Sequence, residues 1–189
     1  MKISILIPTF NNLSYLKFFL NSIKKNSLYE HELIIHVNEG SDGTLNYVQK
    51  NNLKFTHSRE NIGLCSSMNK AYKLSTSDYL LYAHDDMYFC KNWDKFLVDE
   101  IKKQKNNFYY LSGTNVSTRF GLINYDCGDT LDNFDENKFL EFCNKDKTPD
   151  LQSSHWAPHL IHREMWDKIS GFSEEFNPGD GSDPDFCMK

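Results

Sequence analysis

The chain has 189 residues, with 21 Lys and Arg against 26 Asp and Glu, a net charge of −5, 39% hydrophobic and 14% aromatic residues. At roughly 100–200 residues per domain this is one domain, apolar enough to bury on the order of 70% of its unfolded surface and therefore not a disordered chain. The acidic balance weighs against a general nucleic-acid binder, which needs a basic excess to displace phosphate counterions.

Ile3 to Ile7 is a short β-branched run bounded by Pro8, the pattern of a buried parallel strand. Asn11 and Asn12 can cap a following helix, whose apolar face is Leu13, Leu16, Leu20 and Ile23. Leu33 to Val37 reads as a second strand that stops at the turn formers Asn38-Glu39-Gly40-Ser41-Asp42-Gly43. A short helix over Thr44 to Lys50 and a third strand over Leu53 to His57 follow. Asn61 and Gly63 open a helix with Leu64, Met68, Ala71 and Tyr72 on one face. A fourth strand, Asp78 to Ala83, delivers His84-Asp85-Asp86 at its end. Trp93 to Lys105 predicts an amphipathic helix with Phe96, Leu97 and Ile101 inward. Strand–helix alternation implies an α/β fold with a mostly parallel central sheet, whose ligands sit outside the carboxyl ends of the strands.

The second half is less regular. Phe108 to Leu111 and Gly121 to Tyr125 predict short strands, and the acidic stretch Asp126 to Asn137 a mobile loop. Trp156 to His162 predicts a strand, Glu164 to Ile169 a helix, and Gly171-Phe172 a turn. The loop Pro178 to Ser182 leads into Asp183-Pro184-Asp185. The cysteines, Cys65, Cys90, Cys127, Cys143 and Cys187, are odd in number, widely spaced and without a CxxC pair. That argues against a zinc knuckle or disulfide framework and for a reducing compartment. Cys90 and Cys187 read as small buried hydrophobes. No stretch approaches ~18 apolar residues, so no membrane span is expected. The cytoplasm is the expected location, with a peripheral contact on the inner membrane face compatible with it.

The adjacent carboxylates Asp85 and Asp86 repel each other unless solvent or a cation separates them. Mn²⁺ and Mg²⁺ bridge one or two carboxylates to substrate phosphates, so Asp86 is the candidate metal ligand; a solvated acidic turn is the alternative. Glu39 offers an acceptor to a base or ribose. Pro8, Thr9, Phe10 and Asn11 leave the same sheet edge and are expected to wall the base pocket. One acidic acceptor in a small pocket suits the uracil imide, which favours UDP.

Taken in register, Ser4-Ile5-Leu6-Ile7-Pro8-Thr9-Phe10-Asn11, Asn38-Glu39-Gly40-Ser41, Asn61-Ile62-Gly63 with Asn69, His84-Asp85-Asp86, and Ile161-His162-Arg163-Glu164 with Ile169-Ser170-Gly171-Phe172-Ser173-Glu174-Glu175-Phe176 resemble the ordered motifs of family-2 glycosyltransferases of the GT-A fold. Asp183-Pro184-Asp185 falls where their acidic catalytic motif is expected. The resemblance covers essentially the whole chain and implies a Rossmann-like three-layer sandwich. It implies one domain over 1–189, with residues 1–107 binding the nucleotide sugar and 108–189 the acceptor.

The activity implied is inverting transfer of a sugar from a nucleoside diphosphate donor to a glycan, lipid-linked or protein acceptor, as in polysaccharide biosynthesis. The implied roles are Asp183 as base, Asn61, Gly63, Asn69, His84 and Asp85 at the nucleotide sugar, and Asp185 orienting the acceptor or capping a helix. His155, Trp156 and His159 are candidates for stacking on and hydrogen-bonding an acceptor sugar, with His159 alternatively an extra metal ligand. The structural alternative places Trp156 in the core and the histidines at the surface.

The chain departs from the family pattern at several places. Asn38 replaces the first acid after the second strand, Met68 stands where Arg is common, His84 replaces the first acid of the metal motif, and Ser182 stands where Glu is common. The chain ends at Lys189, where family members continue, as a fragment or a short member would. Two other functions fit less well. A sugar nucleotidyltransferase would show a Gly-rich, basic loop after the first strand, and Pro8-Thr9-Phe10-Asn11 has neither glycine nor lysine. A non-catalytic sugar-nucleotide or glycan-binding module would keep the fold without turnover.

Overall fold

The computed structural model describes residues 1–119, 121–145 and 156–189. In chain order the first half contains β1 (Ile3–Phe10), α1 (Leu13–Asn26), β2 (Glu32–Asn38), α2 (Thr44–Lys50), β3 (Lys54–Ser58), α3 (Leu64–Tyr72), β4 (Tyr79–Tyr82) and α4 (Trp93–Ile101). The second half contains β5 (Tyr110–Ser112), β6 (Val116–Ser117), β7 (Ile123–Asn124), α5 (Glu136–Lys145), β8 (His159–His162), α6 (Arg163–Ile169), a single 3-10 turn at Glu174–Phe176, and α7 (Ser182–Met188).

Six strands form one sheet in the order β3-β2-β1-β4-β8-β5. The first four run parallel, as helical crossovers require, and β8 lies antiparallel between β4 and β5. The central strand β1 is apolar on both faces because helices cover both. Ile3, Ile5 and Ile7 join Leu16, Phe19 and Trp93 in one apolar layer. Leu6 joins Met68, Trp166, Phe172 and Phe186 in the other. The sheet is therefore the middle of a three-layer sandwich, as expected. The antiparallel insertion matters for function: it brings the first residue of β8, His159, opposite Tyr82 at the end of β4.

Several local expectations are corrected. α4 ends at Ile101, and Phe96 is 63% exposed instead of inward. The helix is rotated because it buries a carboxylate. Asp94 is fully buried and accepts hydrogen bonds from the backbone N–H of Leu28 (2.8 Å) and Tyr29 (2.7 Å), and pairs with His31 Nε2 at 3.0 Å. An apolar-only pattern cannot register a charged residue that faces inward because its partners wait there.

The stretch from Asp126 is a loop of bends and one turn, as expected, up to Glu136, where α5 begins, a helix that was not expected. Asn133 Oδ1 accepts from the backbone N–H of Asp129 and Thr130, and α5 then packs Phe139 against Tyr88 and Phe134. The strand expected over Trp156 to His162 is only His159–His162, and Trp156 is 59% exposed, not core. The short strands expected at Phe108 and Gly121 begin at Tyr110 and Ile123. Cys90 and Cys187 are half-buried. No helix among the described residues is long and apolar enough to cross a membrane.

A buried histidine makes stability depend on pH. His36 is fully buried in β2, with Nδ1 2.7 Å from Thr56 Oγ1 and Nε2 3.2 Å from Ser58 Oγ. Burial pushes its pKa down to about 4; Lys70 and His57 push the same way and Asn38 opposes them. The folded state thus resists protonation that the unfolded chain accepts near 6.5. Its contribution is complete above pH 6.5 and is lost as pH falls from there towards 4. Urea unfolding should show a loss of about 2 kcal/mol between pH 7.5 and pH 5. His36→Gln should flatten that slope, and an unchanged slope would discard His36 as its source.

Gly63 joins the two halves. Its backbone sits at φ 82°, ψ 168°, a region essentially reserved for glycine, and a Cβ there would lie 2.3 Å from Asn177 Oδ1. That same Asn177 oxygen accepts from the N–H of Cys65 at 3.1 Å and so caps α3 from across the chain. Gly63→Ala is expected to cost about 1–3 kcal/mol for the backbone alone. A melting temperature equal to wild type would contradict this.

Candidate functional site

The carboxyl ends of β1, β2 and β4 open on one edge of the sheet, and most of the sequence-predicted residues gather there. Pro8, Thr9 and Phe10 end β1; Thr9 is buried and Phe10 is 47% exposed. Asn11 and Glu39 leave their strands with left-handed backbones, φ 45° and 55°. Their side chains meet, Asn11 Nδ2 donating to Glu39 Oε2 at 3.0 Å. Asn11 Oδ1 also accepts from the Ser41 N–H at 2.9 Å, so the two loops are one unit. Asn38, the position of the family's first acid, is buried and spent on structure: it donates to Ser67 Oγ and accepts from the Ile62 N–H. Met68 is fully buried in the core.

At the end of β4, His84 and Asp85 turn inward and Asp86 is exposed. The His84 ring is held by the Tyr82 hydroxyl. Asp85 Oδ1 accepts from Asn12 Nδ2 at 3.2 Å, while Asp85 Oδ2 and Thr9 Oγ1 are buried without a hydrogen-bond partner. Burial raises the Asp85 pKa to about 6; the Asn12 hydrogen bond opposes the rise and Asp86 adds to it.

Asp183 lies in the first turn of α7, whose N-cap is Gly181, so it is not the cap. Its Oδ1 is buried without a hydrogen-bond partner, 3.5 Å from His159 Nε2. Asp185 Oδ2 accepts from Ser173 Oγ (2.7 Å) and pairs with Lys189 (3.3 Å), and the side chain does not cap α7.

The other predicted residues make framework contacts or are exposed. Asn61 is exposed and folds back on the Gly63 N–H at 3.0 Å. Gly63 packs on Asn177. Asn69 exchanges two hydrogen bonds with the backbone of Phe172 and donates to Glu174, which staples α3 to the turn before α7. His159 is fully buried, so it cannot touch a bulky acceptor; Trp156 is exposed. His155 lies outside the described residues.

Sequence reasoning missed two positioning residues. Asp42 accepts from the Leu13 N–H (2.8 Å) and the Thr44 N–H (3.0 Å), tying the starts of α1 and α2 together. The signal was present, since an Asp followed by Gly and Thr is the pattern of an Asx turn, the side chain bonding the backbone two residues on. Asn12, expected as a cap, makes no capping bond and instead donates to Asp85. Asn177 had no local signal, because its partners are more than a hundred residues away.

Among the described residues no group of three or more His, Cys, Asp or Glu forms a metal cage. The exposed Asp86 carboxylate is instead compatible with a hard cation that keeps several waters and needs one or two protein ligands.

Residues 4–166 match the model of the family described as Glycosyl transferase family 2. The chain belongs to glycosyl transferase family 2. A processive diacylglycerol beta-glycosyltransferase of Mycoplasma genitalium is 31% identical over 110 residues, 54% of this chain and 32% of that protein. S. aureus TarS 1–349 in complex with UDP superposes with a TM-score of 0.71 at 20% identity, over 100% of this chain and 54% of that one. A Pyrobaculum calidifontis mannosyltransferase in complex with GDP-Man and Mn²⁺ gives a TM-score of 0.58 at 18% identity, over 96% and 49%. The chain therefore has the GT-A fold of these family neighbours and spans about a third to a half of their length.

Proposed function

We propose that the chain transfers a sugar from a nucleoside diphosphate donor, preferably a UDP-sugar, to a hydroxyl of a glycan, lipid-linked or protein acceptor, with inversion. The observation that carries this reading is the Asn11–Glu39 unit and the Asp85–Asp86 pair at strand ends of one sheet edge, with Asp183 3.5 Å from His159, which lies opposite Tyr82 at the end of β4. The acceptor oxygen attacks the anomeric carbon opposite the diphosphate. The carbon–oxygen bond to the diphosphate breaks, its electron pair leaves with the nucleotide, and the hydroxyl proton passes to the Asp183 carboxylate. Asp85 is placed to accept from donor-sugar hydroxyls. Asp86 would hold Mn²⁺ or Mg²⁺, which when bound supplies positive charge against the departing diphosphate. The Mn²⁺ held by the Pyrobaculum enzyme supports the metal. Five free cysteines support a reducing, cytoplasmic setting.

Uridine is favoured because Asn11 already occupies Glu39 Oε2, leaving Oε1 for a single N–H, which is what uracil offers at its imide. Guanine presents two donors side by side. The UDP bound to TarS agrees with this, whereas the Pyrobaculum enzyme holds GDP-Man. Thermal shifts with UDP and GDP, each with Mn²⁺, followed by nucleotide release from a panel of sugar nucleotides, test both halves of the proposal. UDP should stabilise the chain more than GDP, and a UDP-sugar should turn over with a hydroxyl acceptor. Stabilisation by GDP alone rejects uridine; tight binding with no turnover on any acceptor identifies a binding module instead.

A further inference from the structure

We infer that His159 is the positioning residue for Asp183: a fully buried imidazole whose Nε2–H fixes one carboxylate oxygen and leaves the other to take the acceptor proton. The inference rests on the proposed transfer reaction and adds to it a group that the family motifs do not include.

The geometry is specific. His159 begins β8, and because β8 runs antiparallel it reaches the ligand edge from behind, opposite Tyr82. Its ring is boxed by Tyr82 (5.9 Å), Tyr110 (5.7 Å, edge-on) and Phe186 (6.0 Å, stacked), and it has no exposed surface. Aromatic walls on these sides leave few directions for a polar bond. Nε2 points at α7, where Asp183 Oδ1 is 3.5 Å away and Cys187 Sγ 4.0 Å away. Nδ1 is buried without a hydrogen-bond partner, as is Asp183 Oδ1. A neutral imidazole with this environment places its one proton on Nε2, where an acceptor waits, and leaves Nδ1 bare. The 3.5 Å separation is longer than a made hydrogen bond, as catalytic contacts often are before substrate binds. A small rotation of the carboxylate closes it and satisfies the unpaired Asp183 Oδ1.

The same pair sets a pH limit. Burial pushes the imidazole towards neutrality, but Asp183 and Cys187 outweigh it and hold its pKa above the usual value. The titratable groups facing the ring are Tyr82 from β4, Tyr110 from β5, and Asp183 and Cys187 from α7, with His84 behind the Tyr82 hydroxyl. Tyr82 stays protonated, its pKa raised by burial and by Asp183. As pH falls the imidazolium forms, pins the Asp183 charge in an ion pair, and makes it a poorer base.

The test compares wild type, His159→Leu, His159→Gln and Asp183→Asn. His159→Leu should lower kcat roughly 10- to 100-fold, as misplacement of a reacting group does, with donor KM within about twofold of wild type. His159→Gln keeps a donor at the Nε2 position but cannot titrate. It should restore kcat to within about tenfold of wild type and move the acid limb of kcat/KM to lower pH. In histidine-labelled protein, NMR should show the His159 pKa falling in Asp183→Asn. A folded His159→Leu enzyme with wild-type kcat, or an unmoved acid limb in His159→Gln, overturns the inference. If the leucine variant does not fold, the glutamine variant and the NMR titration decide. A wild type that turns over no donor, while His159 still responds to Asp183→Asn, rejects the transfer reading and keeps the pair. An active enzyme whose His159 ignores that substitution rejects the pair and keeps the transfer reading.

Discussion

Asp183→Asn is expected to lower turnover by roughly 10²-fold or more, while affinity for UDP with Mn²⁺ stays at the wild-type level. An inverting displacement needs one base, opposite the leaving group, to take the proton of the attacking hydroxyl. Asparagine has nearly the same shape and keeps an oxygen that can face His159, but it cannot accept that proton. The competing explanation, a carboxylate that merely caps a helix, fails on position, because the cap of α7 is Gly181 and Asp183 lies inside the first turn. Folding should therefore tolerate the change, which can be checked by unfolding in the same preparation. Nucleotide release and calorimetric UDP titration together decide the matter: near-normal turnover in this variant would return Asp183 to a structural role.

The parallel half of the fold was legible because buried strands and amphipathic helices write their periods into the sequence. Ile3 to Ile7 and Leu33 to Val37 read as buried strands, and both are strands in the sheet. What failed was inward-facing polarity. Asp94 turns α4 because three partners from the α1–β2 connection meet it, and nothing local in Trp93 to Lys105 announces those partners. α5 was missed for a related reason. Only Phe139 is buried in it, so its apolar signal is weak, and Glu136 is anchored by Lys25 and Tyr88 from far along the chain.

At the site, the residues on strand ends were legible, since topology alone brings Asn11, Glu39 and Asp85 to one edge. Asn61, Gly63 and Asn69 show the limit of reading motifs. Asn69 and Gly63 meet the segment before α7, at Phe172, Glu174 and Asn177, while Asn61 bonds the nearby Gly63 N–H. The burial of His159 could not be read from sequence either, because it follows from an antiparallel strand entering an otherwise parallel edge.

Asp86→Ala is expected to abolish the gain in UDP affinity that Mn²⁺ provides, a loss of roughly tenfold or more, given that even partners behind a metal ligand cost 10–100-fold. Asp86 is exposed at the end of β4, so its removal should leave folding intact. It also removes a like charge from beside Asp85, whose carboxyl burial already holds near 6. The two carboxylates thus play unequal parts. Asp85 is fixed by Asn12 and buried, suited to fixed polar contacts with a donor sugar, whereas Asp86 is solvated and suited to a cation that arrives with its own waters. Calorimetry of UDP with and without Mn²⁺, in wild type and Asp86→Ala, separates this from a solvated acidic turn. A cation ligand predicts that metal strengthens binding in wild type only. A solvated turn predicts equal affinities in all four titrations, and that result would remove Asp86 from the site and with it the metal from the proposed reaction.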